Sequence, residues 1–540
     1  MGTKQYDSAT DLITFSRASG GTALSKISYG NELVTNGDFS SGTTGWVDGT
    51  QWSGALDASS GKLLITSDSS NGYGCAIQGV PLVVGKAYRL TGSRRAVSGG
   101  NPAIGLSMPS GAVQVILLSG SASTVTNDFS VTFVASSTYS LCLFNQSPTN
   151  GNSSEFDNIS VKEVLFGQSD GTLQLYNYPN NVPRIEYDAA GAVKGLLIEE
   201  ARTNLLTYSE DFTHSSWTKT SASISSNAST SPDGSLSADA IVPTAVNTNH
   251  FLASNGTGVT SGQNYSFSVF AKAGTQDWLR LAATSAFFVN PNHIWFNLAS
   301  GTVGTASTGV TAAITDVGNG WYLCEWKAVA SANGNPQFFI VSESGDGTFG
   351  YLGNGSEEAI FVWGAQIEAG AFPTSYIPTT GSTATRARDI AEIPTSAFGY
   401  NNDKGTVVCE FDSASRYGST IFALDGAGST NGITTIIYPA YRISYQAVIG
   451  GVIQANLNFD AYATASQVSK VATVYAKDDF AAVLNGGAVA TDTAASLPTV
   501  GLLRLGVYLG GALFFMSGHI KSIKYYPRRL TNTQLQELTT

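Results

Sequence analysis

Histidines, cysteines and adjacent carboxylates are the groups with which this chain could run covalent or metal chemistry, and their spacing argues against both. His214, His250, His293 and His519 are scattered, with no His-Glu-x-x-His arrangement to bring two imidazoles to one ion. Cys75, Cys142, Cys324 and Cys409 lie far apart without Cys-x-x-Cys spacing, which removes a disulfide scaffold and a thiolate zinc site. Three of them sit in strand-like apolar runs, where a thiol behaves as a small hydrophobe. Buried free thiols are expected, with a Cys75–Cys142 bridge as the alternative. Gly167-Gln168-Ser169-Asp170-Gly171 has the letters of a nucleophile elbow, but Thr172 to Leu175 alternate like a strand where an elbow must run into a helix. The acid pairs Glu199-Glu200, Glu357-Glu358 and Asp478-Asp479 do not make a glycosidase, because neighbours on a strand point to opposite faces whereas two carboxylates must flank one sugar bond. The expectation is a protein that is not an enzyme.

Aromatic rings offer a different chemistry. The C–H face of a sugar packs on an exposed indole or phenol while polar neighbours bond its hydroxyls. All eight tryptophans lie from Trp46 to Trp363. Trp46, Trp217, Trp326 and Trp363 occupy repeat or strand positions and are expected in the core. Trp52 and Tyr73, in Gly/Ser-rich loops, are candidate carbohydrate-binding residues, as are Trp278 beside Gln276-Asp277 and Trp295 beside Asn292-His293. The C-terminal region lacks Trp but is rich in Tyr, which leaves a Tyr-lined glycan or protein surface open there.

The elements that must hold these rings are strands. Period-2 alternation recurs, as in Phe129-Ser130-Val131-Thr132-Phe133 and Tyr265-Ser266-Phe267-Ser268-Val269, with turn formers such as Asp233-Gly234 and Asn354-Gly355 between runs. With 540 residues, only 12% charged, and 59 glycines, the composition suits an all-β chain of about three domains. The net charge of −11, with basic residues in pairs and not patches, argues against nucleic acid. The apolar stretch Val500–Met516 is cut by Arg504 and rich in Gly, so no membrane span is expected, and the first residues lack a secretory h-region. One helix is predicted, at the C-terminus: Thr531 and Gln534 form a capping box, with Leu530 and Leu535 placed as a staple.

An internal repeat organises the first two thirds. Asn31 leads to Asp38-Phe39 and Trp46, as Asn204 leads to Asp211-Phe212 and Trp217. Gly85-Lys86-Ala87-Tyr88 matches Gly262-Gln263-Asn264-Tyr265, and Phe156–Val161 closes the first copy as Phe361–Ile367 closes the second. The opening Asn31–Trp46 and closing Phe156–Val161 segments resemble the carbohydrate-binding-module jelly rolls of bacterial glycanases. Gly195–Leu206, with Trp363–Glu368 and Tyr376-Ile377-Pro378-Thr379, resembles virion structural proteins of tailed bacteriophages. Ile520–Leu538 is similar to the closing strand and helix of concanavalin/laminin-G-like lectin domains.

These resemblances imply three tandem antiparallel β-sandwiches: an N-terminal attachment segment over 1–30, a jelly roll over 31–165, a β-rich connector over 166–203, a second jelly roll over 204–390 and a lectin-like sandwich over 391–540. The first jelly roll is read as an insertion that leaves residues 11–30 and 166–203 packed together. No cofactor is implied. Related modules often hold calcium with a carboxylate just after the opening Phe, but Ser40 and Thr213 stand there, so calcium is possible near Asp38, Asp157 and Asp211 and is not predicted. The implied function is a homo-oligomeric appendage (a trimer by analogy with phage fibres) on the virion surface, assembled in the bacterial host cytoplasm. Its partners are other virion proteins and host-surface glycans. The alternatives are a capsid decoration or head-fibre protein with mainly structural contacts, and a glycan-degrading virion enzyme.

Overall fold

The structure, a computed structural model, describes residues 13–49, 54–68, 73–107, 113–167, 170–288, 292–414, 418–426, 430–438, 442–459, 467–508 and 515–540. The chain forms three antiparallel β-sandwiches, and the one α-helix among the described residues is at the C-terminus, Asn532–Thr539. It divides into two compact units, Lys26–Thr172 and the remainder, so that one unit interrupts the other in sequence.

Within Lys26–Thr172, one sheet runs Asn127–Val134, Ala87–Ser98, Ser153–Phe166 and the second runs Val47–Asp48, Gly74–Gln78, Ser140–Asn145, Pro102–Ser107, Val113–Leu118. Alternate residues of both (Leu63, Ile65, Leu90, Ile104, Leu141, Leu143, Phe156) fill the space between them. The second jelly roll, in the other unit, repeats the plan. Its sheets run Trp217–Thr220, His250–Ser254, Phe338–Glu343, Trp278–Ala283, His293–Asn297, Thr302–Ala306 and Ala222–Thr230, Leu236–Pro243, Ile360–Ala369, Asn264–Ala273, Trp321–Val329, Thr311–Gly318.

The repeat holds at the level of single hydrogen bonds. Phe39 packs on Trp46 at 5.6 Å between ring centres and Phe212 on Trp217 at 5.0 Å. The Tyr88 hydroxyl accepts from Val83 N (2.8 Å) and the Tyr265 hydroxyl from Thr260 N (3.0 Å), each tying a ring to the loop five residues back. Where a calcium carboxylate would follow the Phe, Ser40 donates to Asp38 Oδ1 through N and Oγ, and Thr213 does the same to Asp211. The register corrects the sequence alignment by one residue at both ends. Glu32, not Asn31, takes the place of Asn204: Glu32 Oε1 accepts from Val34 N and Val161 N, as Asn204 Oδ1 accepts from Leu206 N and Ile367 N. Correspondingly Val161 matches Ile367 and Phe156 matches Val362, not Phe361. Each closing strand carries a bulge whose extra residue has a left-handed backbone, Asn158 (φ 55°) or Gly364 (φ 61°).

The third sandwich pairs the sheet Thr14–Ser16, Ile390–Pro394, Leu502–Leu505, Ser419–Asp425, Gly432–Tyr438, Arg442–Ile449, Val452–Phe459 with the sheet Arg184–Tyr187, Val193–Ile198, Gly518–Tyr526, Lys404–Ser413, Ser469–Ala476, Phe480–Leu484, Ala490–Asp492. Segments read from the sequence as an attachment segment and a connector thus supply strands to it, which gives their backbone groups partners. The predicted helix cap is present: Thr531 Oγ1 accepts from Gln534 N and Gln534 Oε1 from Thr531 N, with Leu530 and Leu535 buried together.

A buried ionic knot ties these pieces. Arg17, Arg184 and Arg386 are out of solvent with Asp389 and Glu199. Arg17 donates to Asp389 (3.1 Å) and to the carbonyls of Tyr178, Pro179 and Val182, while Arg184 donates to Asp389 (2.5 Å), Thr22 O and Ser375 Oγ. Burial alone would raise the Glu199 carboxyl, but the charges of Arg386 and Arg184 and two bonds from Ser375 hold it at about 2. Gly21 lies among the three guanidinium side chains, where a Cβ would stand 3.2 Å from each. Charges this deep are tolerated only because each is paired and hydrogen-bonded.

Candidate ligand-binding face

The second jelly roll's Trp278-bearing sheet turns Leu279, Leu281, Ile294, Phe296, Phe338 and Ile340 into the core. Alternation therefore sends Trp278, Arg280, His293, Trp295, Val341 and Glu343 to its outer face. Register places Arg280 opposite both Trp295 and Val341, and Trp278 opposite Glu343. Two of the predicted rings, Trp278 and Trp295, are thus diagonal neighbours on one surface.

They differ in exposure. Trp295 is only 1% exposed: its Nε1 donates to Thr348 O (3.1 Å) and the turn at Gly345–Thr348 lies against it. As a stacking platform it is corrected to a supporting ring, since an indole with both its edge and its face packed has no surface to give a sugar. Trp278 is half-buried, with Gly304 against its edge, where a Cβ would come within 2.7 Å of the ring. Phe349, not predicted, is 58% exposed and stands edge-on to Trp295 (5.1 Å) and His293 (5.3 Å). Between the rings lies Arg280, its guanidinium carbon 5.6 Å from the centre of Trp295 and 5.0 Å from that of Phe349. It donates to Glu343 Oε1 (2.7 Å) and Asn249 Oδ1 (3.0 Å), and Glu343 Oε2 accepts from Gly350 N (2.9 Å). Burial and the nearby Arg280 charge lower the His293 imidazole's pKa, so it is neutral at pH 7. The face offers apolar rings and a neutral imidazole around a fixed, paired cation. This suits the alternating C–H and hydroxyl surface of a sugar better than a strongly charged ligand.

Two other rings are expected from the sequence. Tyr73 is half-buried in the first jelly roll, at the start of Gly74–Gln78, and Trp52 lies outside the described residues. The four expected core tryptophans, Trp46, Trp217, Trp326 and Trp363, are buried. All four cysteines are buried free thiols, Cys75 and Cys142 within one apolar cluster. Ser169 falls outside the described residues, and a strand, Thr172–Tyr178, follows it.

A second concavity, a cleft of about 540 Å³, lies within the larger unit, lined by Glu186, Lys194, Asp412 and His519 of the third sandwich and by Thr315, Glu325 and Lys327 of the second jelly roll. His519 is held from both ring nitrogens: Nδ1 to Asp412 Oδ1 (2.8 Å), Nε2 to Glu186 Oε2 (2.5 Å). Ionised carboxylates only accept, so the ring is the imidazolium. Burial would lower its pKa, but the two carboxylate bonds raise it to about 9, while His519 and Lys194 outweigh burial at Glu186 and hold that group at about 2. Neither is poised to pass a proton near neutral pH. No group of three or more His, Cys, Asp or Glu among the described residues is placed to hold a metal ion, and no described helix is long and apolar enough to cross a membrane.

No protein-family model matches the chain, and no curated protein matches it. Among solved structures, it is similar to the CBM40 domain of the Ruminococcus gnavus IT-sialidase bound to alpha2,3 sialyllactose, at 17% identity over 26% of this chain and 84% of that one (TM-score 0.24). It is also similar to the N-terminal CBM22 tandem of Paenibacillus barcinonensis Xyn10C, at 12% identity over 63% and 98% (TM-score 0.21). A third is domains LG4-5 of the mouse laminin alpha1 chain, at 8% identity over 54% and 90% (TM-score 0.20).

Proposed function

We propose that this protein is a non-enzymatic, glycan-binding appendage of a virion surface, and that the Trp278–Phe349 face is a primary glycan contact. The observation that carries the binding reading is this face itself: an exposed phenyl against the guanidinium of the Arg280–Glu343 pair, and a half-buried indole opposite Glu343 in the strand register. Single-site sugar affinity on so open a face is weak, and several copies per particle would turn it into avidity. The placement on a virion, with other virion proteins as partners and a homo-oligomeric (trimeric) state, is supported by the resemblance of Gly195–Leu206 and Trp363–Glu368 to phage structural proteins. Glu199, Asn204 and Glu368 of those motifs are buried, which assigns them to holding the fold and leaves binding to the outer faces.

The test is binding of the purified chain to a glycan array and to candidate host cells, beside Trp278→Ala and Phe349→Ala. Loss of roughly tenfold or more in either variant, without a change in thermal midpoint, supports the reading. Equal binding by all three proteins overturns it, as does the release of reducing ends from a bound glycan. Immunogold labelling of intact particles with antibody to residues 400–540 decides the location: label on the tail supports an adhesin, and label spread over the capsid overturns adhesion in favour of decoration.

A further inference from the structure

The sheet of the second jelly roll that does not carry Trp278 forms one wall of the cleft of about 540 Å³. Its strands turn Phe267, Val269, Ile314, Cys324 and Trp326 to the core. Alternation therefore sends Ser268, Phe270, Thr315, Leu323, Glu325 and Lys327 outward, into the cleft. Register sets Ser268 directly opposite Glu325, and Phe270 opposite Leu323 two residues on. The facing wall, from the third sandwich, presents Glu186, Lys194, Asp412 and His519. The cleft is reachable from solvent: Asp188, Thr315 and Asp316 of its lining are exposed, and Lys194 keeps 39% of its side chain in water.

Two features of this lining are unspent. Ser268 is only 4% exposed, yet its hydroxyl has no hydrogen-bond partner among the described residues, so it can be satisfied only from the cleft. The second feature is charge. Lys194 (2.9 Å) and His519 both bond Glu186 through Oε2, and Lys327 (3.2 Å) bonds Glu325 through Oε2. Oε1 of each carboxylate is left without a partner among the described residues. With Asp188, Asp316 and Asp412, five carboxylates face three cations, Lys194, Lys327 and His519, while Glu199 is already spent in the ionic knot. Burial raises the Glu325 carboxyl although Lys327 and the facing Lys194 both pull it down, the state of a carboxylate short of positive charge.

We propose that this cleft binds an amino sugar, its ammonium at the free oxygen of Glu325, its hydroxyls at Ser268 and the neighbouring lysines, and its C–H face toward Phe270 and Leu323. The volume falls within the roughly 300–1,000 Å³ of small-molecule sites. An anionic sugar would meet the excess carboxylates, and a neutral one would leave their charge unmatched. A simple alkylamine would match the charge but leave the Ser268 hydroxyl unpaired. The cleft and the Trp278 face lie on opposite sheets of the second jelly roll, so the two readings stand or fall separately.

The experiment is titration of the full chain with D-glucosamine, followed by saturation-transfer NMR at a pH where its amine is protonated. D-glucose, N-acetyl-D-glucosamine and butylamine are the comparison compounds, and Glu325→Gln, Ser268→Ala and Trp278→Ala the variants. Glucosamine is expected to bind roughly tenfold more tightly than each comparison compound. Its binding should weaken roughly tenfold in Glu325→Gln and severalfold in Ser268→Ala, and persist in Trp278→Ala. Ser268→Ala removes a hydroxyl that bonds nothing in the protein, so it should melt with the parent and carries the test even where Glu325→Gln fails to fold. The proposal is overturned if glucosamine does not bind, or if a neutral sugar or butylamine binds as well. It is overturned equally if both cleft variants bind like the parent, or if Trp278→Ala abolishes binding.

Discussion

The two jelly rolls share a frame and differ in what they hang on it. Both set an aromatic pair at the mouth, a tyrosine tied to the loop behind it, and a bulged closing strand. On equivalent outer faces, the first carries Cys75, Ile77, Ala103, Cys142 and Phe144, a sealed apolar cluster, whereas the second carries Trp278, Arg280, Trp295 and Glu343 beside the exposed Phe349. The frame is kept by residues that bond backbone, and the faces are free to diverge because they bond nothing the frame needs. Electrostatics divide the same way. The ion pairs described within Lys26–Thr172 are at the surface, such as Lys86–Glu163 and Lys162–Glu32, while the larger unit has surface pairs such as Lys521–Glu410 and also fully buried ones, Arg17–Asp389 and Arg184–Asp389.

The strongest way to break the comparison is to remove the shared aromatic. Trp46→Ala and Trp217→Ala should each cost about 3–5 kcal/mol, because a buried indole leaves a large cavity. In denaturant titration followed by exchange of amide protons, each loss should fall on its own unit: Lys26–Thr172 for Trp46 and the remainder for Trp217. Loss spreading to both units would mean that they do not fold independently. Next in size is pH. The His519 imidazolium, raised from 6.5 to about 9, stabilises the larger unit fully below pH 6.5 and loses that contribution as pH rises through 9, on the order of 2–3 kcal/mol. Glu186 and Glu199, both held at about 2, contribute above pH 4.5 and lose it as pH falls toward 2. Melting curves from pH 3 to 10 should therefore weaken the larger unit at both ends, with His519→Gln flattening the alkaline arm, while the inserted jelly roll responds less. The smallest effect sharpens the equivalence: Tyr88→Phe and Tyr265→Phe should each lose about 1 kcal/mol, the value of one hydroxyl bond to a loop amide. A tyrosine that costs nothing would show its loop is held by something else.

Strand alternation, the Phe–Trp pairs and the helix cap are local, so composition and spacing reveal them. The repeat was legible but one residue out at Glu32 and Val362, because the opening segment from Asn204 to Phe212 is one residue longer than that from Glu32 to Phe39, and Phe361 beside Val362 offers an aromatic match to Phe156. The ionic knot was not legible at all: Arg17 meets Asp389 across 372 residues, and nothing near either announces a partner. At the candidate face, Trp278 and Trp295 were found by type and neighbourhood. Which of them stays open depends on the Gly345–Gly350 loop, whose fold follows from Glu343 and Thr348 bonding its amides.

That 372-residue separation also sets an order of events during synthesis. Thr14–Arg17 is made early, yet its partners at Asp389 and Ile390–Pro394 leave the ribosome on the order of tens of seconds later. Once residue 172 has been made the inserted jelly roll has every residue it needs, whereas the early strand still waits with an unpaired edge and an arginine that lacks its Asp389 counter-charge. Completion of the knot therefore reports that translation has passed residue 389, and a chain stopped short of it would present that edge to proteases and to its neighbours.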